Sequence, residues 1–145
     1  MPSELEAALL KQIRDAGLAE PLLQHRFAQG LGRQWRFDLS WTFPGWYAVE
    51  IDGGAWSVKG AHGSGQGSEN DAVKLAVATL LGWEVYRVNG HMIEDGRALT
   101  LIRSFLHGDH DQAAQTLCEQ KCRKCDLSRR TRNQKARQKA REANG

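Results

Sequence analysis

Hydrophobic and polar positions change period several times along this chain, and each change marks an element. Leu5, Ala8, Leu9, Gln12, Ile13 and Ala16 recur at helical spacing, which predicts a helix over residues 3–16. Ser3 and Glu6 have the spacing of a capping box, and Gly17 stands where a helix ends. Residues 22–29 read as a first strand, closed by Gly30-Leu31-Gly32. From Gln34 to Trp41 the pattern alternates, with Trp35, Phe37, Leu39 and Trp41 on one face and Arg36 and Asp38 on the other. Pro44-Gly45 supplies a turn, and the nearly continuous apolar run from Trp46 to Asp52 predicts a central third strand.

Residues 53–67 hold six glycines among Ser57, Lys59, His62, Ser64 and Gln66, a loop too long and polar for a simple connector. A helix is expected from Ser68 to Leu81, with Ala72, Leu75, Ala76, Thr79 and Leu80 as its apolar face and Asp71 and Lys74 one turn apart. Trp83 to Val88 predicts a fourth strand, Asp95 to Leu106 a further helix, and residues 109–120 another. The order is helix, three strands, helix, strand, helix. A short turn makes strands 2 and 3 antiparallel, and the intervening helix makes strands 3 and 4 parallel. The fold class is α/β with a mixed sheet.

Charge divides the chain. Residues 1–120 carry ten Lys/Arg against fifteen Asp/Glu, a net of −5, and residues 121–145 carry ten against two, a net of +8. The boundary is drawn at 107, with a core over 1–107 and a Cys-containing basic extension over 108–145. A basic arm holding Arg129, Arg130, Arg132, Lys135 and Arg137 suits DNA, because each phosphate contact releases counterions. A solvated tail is the plainer reading. No stretch approaches the ~20 apolar residues of a membrane span. The acidic start, Met1-Pro2-Ser3-Glu4, lacks the pattern of a signal peptide, so a soluble, cytoplasmic protein is expected. Oligomeric state is open, a homodimer included.

All three cysteines lie together, at 118, 122 and 125. That clustering argues against a disulfide framework. Cys118, Cys122 and Cys125, with His107 or His110 as a fourth ligand, suit a structural Zn²⁺; an iron–sulfur cluster and unligated thiols are the alternatives.

The chemistry concentrates in three acids near strand ends. Asp38 closes Trp35-Arg36-Phe37-Asp38, and Glu50 and Asp52 end Tyr47-Ala48-Val49-Glu50-Ile51-Asp52. Two neighbouring strands carrying such acids can hold Mg²⁺ or Mn²⁺ between them, as metal-assisted phosphodiester hydrolysis requires. Each acid also has a plainer reading: Asp38 as a partner of Arg36, Asp52 as a turn residue before Gly53-Gly54.

Four pieces in this order carry a resemblance: Trp35-Arg36-Phe37-Asp38; Ala48-Val49-Glu50-Ile51-Asp52-Gly53-Gly54; His62-x-x-Gly65-x-Gly67-x-Glu69-x-Asp71-x-x-Lys74; and Leu81-Gly82-Trp83-x-Val85-x-Arg87-Val88. Together they resemble the PD-(D/E)xK nuclease superfamily, and more closely its very-short-patch-repair-like and phage endonuclease branch, over roughly residues 3–106. The resemblance implies a restriction-endonuclease-like core with a C-terminal helical basic tail, and a metal-dependent DNA endonuclease. It implies a metal on Asp38, Glu50 and the Ile51 carbonyl. Asp52 stands where the superfamily pattern has lysine, which leaves His62 and Lys74 as candidates to supply the missing function. Ser64 and Ala76 depart from the Arg and Asn of phage relatives. An N-terminal acid sometimes supports the metal in this fold, which nominates Glu6 and Glu20. Two other classes stay open: a catalytically inactive nuclease-fold DNA-binding module, and a zinc-binding nucleic-acid interaction protein.

Overall fold

The computed structural model describes residues 2–53, 65–119 and 134–143. Helix α1 spans Glu4–Asp15. Its start is the expected capping box: Ser3 Oγ accepts the Glu6 N–H at 3.2 Å, and Glu6 Oε2 accepts the Ser3 N–H at 2.6 Å. Leu9, Leu10 and Ile13 make its buried stripe, and Gly17 turns the chain away at φ 68°.

Strands β1 (Leu22–Arg26), β2 (Arg36–Trp41), β3 (Tyr47–Asp52) and β4 (Glu84–Asn89) form one sheet in the order β1-β2-β3-β4. The first three run as an antiparallel meander, and β4 lies parallel to β3. Helix α2 (Gly65–Leu80) stands between the parallel pair in sequence. Helices α3 (Gly90–Glu94), α4 (Arg97–His107) and α5 (His110–Glu119) follow, and residues 134–143 are helical. This is the α/β class with a mixed sheet that the patterning predicts. Among the described residues, no helix is long and apolar enough to cross a membrane.

Two expectations need correction, and one helix is additional. The first strand stops at Arg26, residues 27–28 are irregular, and a 3₁₀ turn follows over Gln29–Leu31. The helix expected over 95–106 is α4, and α3 precedes it as an element that the patterning does not predict. Asn89 caps α3 by accepting the Met92 N–H at 3.1 Å, and Gly96, at φ 86°, breaks the chain before α4.

The second correction concerns β2. Leu39 and Trp41 join α1, α3 and α4 in a core with Leu9, Val49, Val88 and Phe105. Phe37 instead belongs to a second cluster with Ala48, Ala78 and Trp83. A regular strand keeps i and i+2 on one face, so the alternation breaks at Asp38. On the partner strand the break falls at Gln24, a non-glycine residue at φ 50°. The β2–β3 ladder runs from Trp41↔Tyr47 to Leu39↔Val49 and stops there.

The larger core centres on Phe105, which is 1% exposed. Tyr47 and Tyr86 stack on it at centroid distances of 4.6 and 5.4 Å, and Trp41 meets it edge-on at 5.3 Å. Phe105→Ala is expected to cost about 3–5 kcal/mol, read as a lower urea midpoint with unchanged slope.

Candidate active site

Where the β2–β3 ladder ends, a side chain takes over from the backbone. Asp38 Oδ2 accepts the Ile51 N–H at 2.7 Å. That bond fixes the carboxylate against β3, next to Glu50. Alternation then puts Glu50 and Asp52 on the side of β3 that carries Ala48, and Val85 and Arg87 beside them on β4. Glu50 is directly in register with Arg87. A cavity of about 110 Å³ opens there, with Phe37, Glu50, Asp52, Asp71, Lys74 and Arg87 in its wall.

Lys74 reaches this cavity from α2. Its Nζ donates to Glu50 Oε1, and it lies 5.8 Å from the centre of the Phe37 ring. Both side chains of the pair are about four-fifths buried, at 21% and 20% exposure. Burial pushes the Glu50 carboxyl above the usual glutamate range; Lys74 pulls it back, and the charge of Asp38 raises it again. Asp52 Oδ1 accepts from Arg87 at 2.7 Å. That bond holds the Arg87 guanidinium above its ordinary value, with the charges of Asp71 and Glu50 adding to it.

The seating of Lys74 goes with a rotation of α2 that its sequence does not suggest. Ala72, Leu75, Ala76, Thr79 and Leu80, the expected inner face, are exposed, with Leu80 at 86%. Ala78 is the fully buried position, and Lys74 and Val77 are half-buried. Ala78 lets the helix come close to Phe37, Ala48 and Trp83. A face chosen by size and charge outweighs one chosen by hydrophobicity.

The structure thus brings together Asp38, Glu50, Ile51, Asp52 and Lys74. His62 lies outside the described residues, as do Cys122, Cys125, Arg129, Arg130 and Arg132. Cys118 is exposed at the end of α5. Lys135 and Arg137 are exposed on the helix over 134–143. Of the two N-terminal acids, Glu20 is taken up by Arg14, whose Nε donates to it at 2.9 Å. Glu6 turns the other way and accepts from Gln24 Nε2 at 2.8 Å. The same Gln24 nitrogen lies 3.4 Å from Asp38 Oδ1. Gln24 and Arg87 are the site residues that the sequence gives no role. The strand register offers a signal for Arg87. Nothing in the sequence marks Gln24, because positive φ favours Gly and Asn over Gln.

Asp38, Glu50 and the Ile51 carbonyl form a hard-oxygen donor set suited to Mg²⁺ or Mn²⁺. Among the described residues, no three His, Cys, Asp or Glu side chains gather as a cage.

The raised Glu50 carboxyl has a thermodynamic sign. The folded chain holds the proton more tightly than the unfolded chain, so stability from this group falls as pH rises through the folded value. Glu50→Gln is expected to flatten that part of the melting-temperature–pH curve. Lys74→Met is expected to steepen it and to cost about 1–3 kcal/mol, by leaving Glu50 buried without its cation. Thermal melts from pH 4 to 8 check both. A Glu50→Gln curve parallel to wild type would refute the assignment.

A scan against protein-family models, a search of curated proteins and a search of solved structures each found no match to this chain.

Proposed function

We propose that the chain is a metal-dependent DNA endonuclease that hydrolyses phosphodiester bonds on a restriction-endonuclease-like core. One observation carries the reading: Lys74 enters from α2 and bonds to Glu50, beside an Asp38 pinned by the Ile51 amide. Two acids on antiparallel strands and a cation from the following helix are the parts that the PD-(D/E)xK pattern calls for. The cation comes from α2 because Asp52 fills the strand position where lysine would stand.

Each residue has a separable task. Asp38, Glu50 and the Ile51 carbonyl would hold Mg²⁺ or Mn²⁺. When bound, the metal lowers the pKa of a water and offsets charge on the phosphate. Lys74, once released from Glu50, neutralises charge that develops on the phosphate oxygens. Arg87 holds Asp52 and keeps a third carboxylate from adding a free negative charge beside the incoming phosphate. The basic C-terminal arm supplies non-specific affinity for DNA.

A second reading has its own support. Both acids at the end of β3 already hold a cation of the chain, Glu50 with Lys74 and Asp52 with Arg87. An inactive DNA-binding module would keep them so.

Cleavage separates the two. Linear, nicked, branched and mismatched DNA are incubated with wild type, Asp38→Ala, Glu50→Ala and Lys74→Ala in Mg²⁺ or Mn²⁺. The acid variants are expected to lose activity, and Lys74→Ala to lose roughly 10²–10³-fold in rate. Metal alone should raise the melting temperature of wild type, by an amount equivalent to ~2.7 kcal/mol at a hundred times Kd, and leave Asp38→Ala unmoved. Cleavage of none of these substrates by wild type would remove the endonuclease reading.

A further inference from the structure

Between Glu20 and Asp38 the chain carries Arg26, Arg33 and Arg36 and no Asp or Glu. That is unexpected in a body of net charge −5 over residues 1–120. The fold concentrates the charge further. Arg26 on β1 lies directly across from Arg36 on β2. Like charges in that relation destabilise a sheet. Both residues are exposed, and so is Arg33, whose guanidinium sits 5.0 Å over the Trp35 ring. Among the described residues, none of the three forms an ion pair. Glu6 lines the same cavity as Arg36, yet its oxygens go to the Ser3 amide and to Gln24.

We infer that Arg26 and Arg36 form a phosphate-binding patch that holds a DNA strand as it runs to Asp38. Arg36 precedes Asp38 by two residues on the same strand, about 6.6 Å along β2. By alternation Arg36 faces away from Phe37, onto the side where it lines a cavity with Glu6 and Gln24, and Gln24 Nε2 lies 3.4 Å from Asp38 Oδ1; a backbone that reaches Asp38 from that side passes the Arg26–Arg36 pair. The polyanion relieves the repulsion between the two guanidinium groups, which no acid of the described chain does. Exposed, weakly hydrated Arg forks suit phosphate oxygens. The patch differs from the C-terminal arm in location and in consequence: the arm adds affinity anywhere on DNA, whereas the patch fixes which phosphate meets Asp38. The inference rests on the proposal that DNA is the partner, and its test is arranged to fail separately.

Binding of the full chain to a labelled duplex is measured in EDTA across a salt series, so that no cleavage intervenes. The Arg26→Gln/Arg36→Gln pair is expected to lower the salt slope by about 1.8, roughly 0.9 for each lost contact. Over a fourfold change in salt that amounts to about tenfold in relative affinity. Its melting temperature should equal or exceed that of wild type, because a like-charge pair has gone. Arg26→Lys/Arg36→Lys should keep the slope, which guards against a loss caused by misfolding. Arg103→Gln, on α4, should match wild type. If the glutamine pair binds with the wild-type slope, the patch is not a phosphate contact, whether or not wild type cuts DNA. If the slope falls and wild type cuts nothing, the patch stands and the endonuclease reading does not.

Discussion

The bond from the Ile51 amide to the Asp38 carboxylate is the constraint from which the rest of the architecture follows. A backbone N–H at the end of a ladder needs an acceptor, and here an ionisable side chain provides it. Once Asp38 turns to take that bond, β2 no longer continues as a regular strand. Phe37 falls on the α2 side of the sheet, while Leu39 stays with α1 and α4. The core divides into two clusters at that residue. Gln24, opposite the break, occupies a backbone conformation that is uncommon for a residue with a Cβ. Such conformations concentrate at sites where surrounding structure holds them in place.

The second constraint is electrostatic and follows from the first. Burial in the cavity wall chiefly raises the Glu50 pKa, and the charge of Asp38 fixed beside it adds to the rise. A cation is the natural compensation, and α2 brings Lys74. Its position decides the rotation of the whole helix. Leu80 and Val73 are left largely exposed, at 86% and 43%, because the helix cannot turn them inward and keep Lys74 on Glu50. Hydrophobic burial near 25 cal/mol per Å² is substantial. Leaving a buried carboxylate unpaired costs more.

These two constraints explain what the sequence reveals and what it hides. Element order, sheet direction and the capping box are readable because each rests on local periodicity or on a short-range bond. The grouping of Asp38, Glu50 and Lys74 is readable because the acids sit on adjoining strands and Lys74 starts the following helix. The face of α2 is hidden, because its apolar stripe and its functional face differ, and only the position of Glu50 decides between them. The placement of Phe37 is hidden for a related reason: alternation assumes an unbroken ladder, and this one is interrupted by a side-chain acceptor. Helix α3 is hidden because five residues are too few to show a helical period. Gln24 has no local signal at all.

Asp52 is best understood through the charge balance around the cavity. Asp38, Glu50, Asp52 and Asp71 bring four carboxylates, and Lys74 and Arg87 bring two cations. Ionised, the group carries a formal charge of −2. Arg87 cancels Asp52 and Lys74 cancels Glu50, so the surplus rests on Asp38 and Asp71. A divalent ion matches that surplus, which a lone phosphate would increase. Had position 52 been lysine, the formal surplus would vanish and the site would attract a divalent cation less strongly. Asp52 together with Arg87 therefore preserves a demand for positive charge at the strand end. Under the proposed endonuclease reading, the mobile cationic role passes to Lys74, whose stem would let its ammonium leave Glu50 for a phosphate oxygen without moving the strand.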